Sequence, residues 1–222
     1  MPHTNDVMTK KSDRLRFYAI CGIVAPIFFW FMVVIESLLR PGYSQYYNFV
    51  SDLGVGHLSI LQNINFVVFG ILTIGLAIGL KNGLPSPKTR TLKAGIWFVI
   101  LFAIGVLLAG VFPESYIWAI PHNIVSATAF VAIIAAQIFI WQGLKDKDRT
   151  MWGRYATYSL ISGLLSLIFG NFTQGCNALW FLSWALPKGI SYCIMDMDWG
   201  NRNKTLYINP KMIIGSIQDP LT

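Results

Sequence analysis

LSILQNINFVVFGILTIGLAIGL (residues 58–80), KNGLPSPKTRT (81–91) and LKAGIWFVILFAIGVLLAGVF (92–112) follow one another without interruption, and their order decides the fold. Each apolar run has the length of about 20 residues that a helix needs to cross a bilayer. The link between them is short and basic, carrying Lys81, Lys88 and Arg90, with Lys93 just inside the next run. Pro85 and Pro87 stop a helix from continuing through the link, because proline lacks the backbone donor and clashes with the preceding turn. Two antiparallel spanning helices joined by a tight loop follow.

The same pattern repeats outward in both directions. Lys10, Lys11, Arg14 and Arg16 precede an apolar run at 17–39, while Lys145, Lys147, Arg149 and Arg154 follow one at 119–143. A fifth run extends from Gly153 to about Cys176. Of the cations in the loops between runs, only Arg40 falls at the opposite end. Loop lysine and arginine set membrane orientation, so the N-terminus and the even-numbered loops are expected in the cytoplasm. The expectation is an all-α polytopic transmembrane bundle in the cell membrane: a cytoplasmic tail at 1–16, the bundle at 17–176 and an atypical segment at 177–222.

Composition excludes the main competitors. With 55% hydrophobic and 12% charged residues and a mean hydropathy of +0.55, a soluble core cannot account for the apolar sequence. The net charge of +7 sits in short juxtamembrane loops, where anionic headgroups explain it, so the lipid bilayer is the expected partner and nucleic acid is not. Cys21, Cys176 and Cys193 form no paired or His-flanked cluster and read as small packing residues. No phosphate-cradling glycine loop, HExxH helix or GxSxG elbow is present, and no cofactor is expected.

Within the runs, Gly75 and Gly79 make a small-xxx-small pair, and Ser159, Ser162 and Ser166 share one helical face; both patterns point to close helix packing. Gln62, Asn63, Asn65 and Gln137 are expected to hydrogen-bond between helices. The acidic residues outside the tails and basic loops all fall at the opposite end from the cations. They are Glu36, Asp52 and Glu114, accompanied by Ser51, His57, His122 and Asn123. Three readings stand for this polar cluster: helix caps and loop ends, a buried polar ligand site, or a metal centre on Asp52, Glu114 and His122, whose imidazole and carboxylate groups suit zinc, iron or manganese. An unpaired carboxylate near the end of an apolar span is costly, so Glu36 needs a partner, and Arg40 at i+4 is the expected one.

Four short segments carry a family resemblance: Leu39-Arg40-Pro41-Gly42-Tyr43, Val50-Ser51-Asp52-Leu53-Gly54, Gly110-Val111-Phe112-Pro113 and His122. In this order, over about residues 17–170, the chain resembles the prokaryotic multipass proteins catalogued as domain of unknown function 998. That resemblance implies a sixth helix and no established activity, and it singles out Ser51, Asp52, Gly54, Pro113 and His122. The sixth helix is not found after Gly175, because residues 191–204 carry Asp196, Asp198, Asn201, Arg202, Asn203 and Lys204, which hydrocarbon would not tolerate. Read one nucleotide later, each Met-Asp pair there becomes tryptophan and the segment turns apolar. A frameshift between about Asn171 and Trp184 is therefore expected, leaving 177–222 poorly ordered and the sixth span lost. A genuinely polar, diverged tail is the alternative.

For function, the expectation leans away from an enzyme and towards a non-enzymatic binding or assembly protein, or a bundle handling small molecules or lipid, with a membrane-protein partner or a second copy of the chain beside it. A metal-dependent hydrolase using Asp52, Glu114 and His122 and a transporter are the alternatives. The near absence of mid-membrane charge counts against an ion-coupled pump.

Overall fold

The computed structural model describes residues 4–45, 47–84, 88–145 and 152–170. These form five α-helices and one short 3-10 helix, with no strand among the described residues. Helix α1 is Thr4–Leu39, the 3-10 helix is Val50–Gly54, and α2 is Ser59–Gly83. Helices α3, α4 and α5 are Arg90–Val111, Ala119–Leu144 and Trp152–Gly170. Each helix packs on the next in chain order, α1 on α2 through α4 on α5, as short links between antiparallel helices require. The links α1–α2 and α3–α4 lie at one end of this up-and-down bundle, called here the distal end. The start of α1, the facing ends of α2 and α3, and the facing ends of α4 and α5 lie at the proximal end.

Four helical segments are long and apolar enough to cross a membrane: Ser12–Leu39, Ser59–Gly83, Arg90–Val111 and Ala119–Leu144. Helix α5 does not reach the same apolarity. At 19 residues it is about 28 Å long at 1.5 Å per residue, so length is not the reason. Arg154, Thr157, Ser159 and Ser162 dilute its apolar sequence. Helix α1 starts well before the apolar run, because residues 4–16 contain no proline or glycine and the turns of the span propagate into them. The segment expected at 177–222, the sixth span and the frameshift site lie outside the described residues, as do Pro85, Pro87, Cys176 and Cys193.

Two buried clusters fill the bundle. The proximal one joins Leu76, Leu80, Leu92, Ile96, Ile140, Leu144 and Trp152, and the distal one joins Phe29, Val33, Leu53, Phe69, Phe102 and Ala132. The Gly75 and Gly79 pair does what its spacing implies. A Cβ on Gly75 would lie 3.1 Å from the Cys21 sulfur, and one on Gly79 would lie 2.8 Å from the Tyr18 Cβ, so α1 rides directly on this face of α2. On α5, Ser159 and Ser162 are likewise buried, and the Ser159 hydroxyl donates to the Gln137 carbonyl of α4 at 2.8 Å.

The outward surface is apolar where a soluble helix would be polar. Along α1, Phe17, Ile20, Val24, Ile27, Phe31, Val34 and Leu38 are all exposed, at alternating steps of three and four residues. Such a stripe is stable only against lipid or another apolar face. Tyr47, Tyr116, Ile117 and Trp118 project at the distal end, the placement of an interfacial aromatic belt.

Candidate functional site

The distal end is built from two knots of polar side chains, each tied to a short motif. The first begins where α1 stops. Pro41 and Gly42 are the central residues of a turn closed by Tyr43 N–H donating to the Arg40 carbonyl at 3.2 Å, with Gly42 at φ +82°. That left-handed value is what a type II turn demands at its third position and what glycine supplies without strain. The turn takes Arg40 off the helix, so the i to i+4 geometry expected with Glu36 is not realised. The Arg40 guanidinium instead donates to the main-chain carbonyl of Asp52.

Asp52 acts as a cap. Its carboxylate accepts from the Phe49 N–H at 2.8 Å and from the Asn48 amide at 3.4 Å, holding the entrance of the 3-10 helix. Asn63 on α2 donates to the Gly54 carbonyl at 3.4 Å, and Leu53 is buried in the distal core with Val33, so the 3-10 helix is seated over α1 and α2. Tyr43 donates its hydroxyl to the Phe49 carbonyl at 3.2 Å. Burial pushes the Tyr43 phenol up to about 12; the Asp52 and Glu36 charges push the same way, and Arg40 opposes them in part. Tyr43 therefore feels Glu36, Arg40 and Asp52 together.

Beneath this cap, α1 and α2 face each other with buried polar residues. On α1, Phe29, Val33 and Glu36 share one buried stripe, and on α2, Gln62, Asn65 and Phe69 share another. Asn65 donates to the Phe29 carbonyl at 3.0 Å and to the Gln62 amide oxygen at 3.1 Å, the interhelical bonding expected of these amides. Glu36 is 2% exposed, and neither of its carboxylate oxygens has a hydrogen-bond partner. The Gln62 amide nitrogen and the Asn65 amide oxygen are also buried without one.

The second knot joins α3 to α4. His122, 3% exposed in the first turn of α4, places Nδ1 2.7 Å from the carbonyl of Phe112, the residue after α3. A carbonyl only accepts, so Nδ1 carries the proton and Nε2 is left 4.0 Å from a Glu114 carboxylate oxygen. Pro121 is tolerated beside it because the first helical turn has no partner for its N–H in any case.

Of the sequence candidates, Glu36 and Asp52 belong to the first knot, with Ser51 half-buried in the 3-10 helix, and Glu114 and His122 belong to the second. His57 and Asn123 are exposed on the flanking segments. Among the described residues, no three His, Cys, Asp or Glu side chains converge into a set that could hold a metal ion. The trio Asp52, Glu114 and His122 is therefore not assembled: Asp52 is turned into its own cap and His122 into the end of α3. Sequence spacing had assigned Gln62 and Asn65 to helix pairing, and their burial on the stripe facing Glu36 is what adds them to the site.

A family described as Protein of unknown function (DUF998) matches residues 23–194, well over half of the chain. The chain belongs to the DUF998 family. The match runs beyond Gly170, the end of the described part of the bundle. No curated protein and no solved structure matches this DUF998 chain. The family-resembling segments are the ones that tie the distal end: the Pro-Gly turn, the Asp52 cap and the His122 bond to Phe112.

Proposed function

We propose that this membrane protein is a non-enzymatic bundle that admits and holds a small polar solute in the distal half, between α1 and α2. The observation that carries this reading is the Glu36 carboxyl, buried with both oxygens unpartnered. A carboxyl in that state is several kcal/mol worse off than one in water, and such a residue inside a membrane bundle marks a ligand path by default. The neighbouring amides of Gln62 and Asn65 supply the few convergent polar groups that orient a ligand in an apolar site.

The basic loops favour a cell-membrane protein with the N-terminus and the proximal end in the cytoplasm, and on this reading the site faces the extracytoplasmic side. Helix α5 then serves as a fifth spanning segment, with Ser159 turned to α4 and away from lipid. The test is chemical. Dicyclohexylcarbodiimide, a lipid-soluble reagent for protonated carboxyls, is applied to the full chain in its native membrane, and modified residues are located by mass spectrometry. Modification of Glu36 in the folded protein, absent in Glu36→Gln, is the expected result. Modification that appears only after unfolding would show a sealed structural carboxyl and overturn the reading.

A further inference from the structure

Resting on that reading, we propose that Glu36, Gln62 and Asn65 bind one small monovalent cation of the alkali-metal class. Helix geometry brings Glu36 to the height of Gln62, with Asn65 one helical step below and bonded to Gln62. Asn65 reaches the Phe29 carbonyl at 3.0 Å, which fixes the relative height of α1 and α2. From Phe29, Glu36 lies seven residues on, roughly 10 Å towards the distal end, and from Asn65, Gln62 lies three residues in the same direction, roughly 4.5 Å at 1.5 Å per residue. Side chains tilt back towards the N-terminus of their own helix, so the Glu36 carboxylate drops towards Phe29 and to the height of Gln62. Both residues lie on the facing buried stripes.

The donor set selects the ligand class. The Asn65 nitrogen must donate, because the Phe29 carbonyl only accepts, and its bond to the Gln62 oxygen fixes that amide as well. What stays unpartnered is then three acceptor atoms, Glu36 Oε1, Glu36 Oε2 and Asn65 Oδ1, against one amide nitrogen, Gln62 Nε2. A surplus of oxygen acceptors suits a hard cation rather than an anion or a soft metal. Charge selects the valence. Arg40 and Asp52 in the cap carry opposite charges that sum to zero, leaving the single negative charge of Glu36, and among the described residues the buried stripes of α1 and α2 carry no second carboxylate or imidazole to hold a divalent ion. All four atoms are fully buried, so an ion held by them is stripped of bulk water.

Carbodiimide modification of the full chain in liposomes tests the assignment, because a bound cation displaces the carboxyl proton that the reaction needs. Rates at Glu36 are compared in sodium, lithium, potassium and N-methylglucamine chlorides at one pH and ionic strength, and again with calcium or magnesium added. An alkali-metal ion is expected to slow modification about tenfold at ten times its half-protecting concentration, as simple occupancy requires. In Asn65→Ala the Glu36 modification is expected to persist while the half-protecting concentration rises. Modification of Glu36 that no alkali cation slows overturns the cation assignment while leaving an accessible buried carboxyl in place. Protection by a divalent ion alone overturns the valence. Absence of modification in the folded chain overturns both the cation and the ligand site.

Discussion

His122 holds the exit of α3 to the entry of α4 through one buried bond, and its removal should be felt. In His122→Ala the Phe112 carbonyl loses its donor and a void opens beneath the loop. An unmet buried acceptor costs about 1–3 kcal/mol, so the thermal midpoint of the detergent-solubilised protein should fall, whereas His122→Asn keeps a donor at that height and should fall less. Equal midpoints for all three proteins would contradict the tie. Tyr43 makes a pH prediction whose sign follows from its environment. Its phenol titrates near 12 in the folded chain against 10.0 ordinarily, so the fold retains the proton that the unfolded chain gives up first. Stability is unaffected below about 10 and declines as pH rises towards 12, and Tyr43→Phe should remove that decline, as read from unfolding midpoints across the alkaline range. Residue-scale legibility was uneven for a physical reason. Glu36 stands out in the sequence because a carboxylate in an apolar run is expensive, but its expected partner assumed that the helix continued to Arg40. The Pro-Gly pair at 41–42 was the available signal against that assumption, since it forces the turn that carries Arg40 to Asp52.

At the scale of elements, close approach between helices is set by glycines whose missing Cβ atoms leave room for a neighbour's backbone. A Cβ on Gly110 would lie 2.5 Å from the Asn63 carbonyl oxygen and 2.9 Å from the Phe66 Cβ. Backbone cannot swing aside as a side chain can, so Gly110→Ala should push α3 from α2 and lower stability by about 1–3 kcal/mol. Gly153, at the start of α5, has nothing within 4 Å of the same position, and Gly153→Ala should be neutral or stabilising by up to about 1 kcal/mol through helix propensity alone. Comparable losses for the two variants would mean that propensity, not contact, governs both. The four apolar helices could be read from the sequence because bilayer length and absence of charge are local properties. The start of α1 could not, since nothing in residues 4–16 breaks a helix and the boundary is set by where turns stop propagating. Nor could the apolarity of α5 be settled by its length, because helix carbonyls satisfy Ser159 and Ser162, the first from Gln137 on α4 and the second from Tyr158 on α5 itself, both at 2.8 Å.

For the whole molecule, the distribution of charge and the distribution of surface make independent statements that must agree. The exposed apolar stripe of α1 requires a nonpolar surrounding but says nothing of direction, whereas the cations at the proximal end specify direction but not packing. Together they predict which residues meet the outside of an intact cell. Tyr116, fully exposed in the α3–α4 link, and Asn82, exposed at the end of α2, lie at opposite ends of the bundle. With the three native cysteines replaced by alanine, Tyr116→Cys should react with a membrane-impermeant maleimide in intact cells, and Asn82→Cys only after the membrane is opened. The reverse pattern would put the Glu36 stripe on the cytoplasmic side, so that a cation reaching it would come from the cell interior. Reaction of both residues in intact cells would be incompatible with α2 and α3 crossing the bilayer as a hairpin. The experiment therefore decides from which compartment the buried carboxyl is filled, which the geometry of the site leaves to the loops.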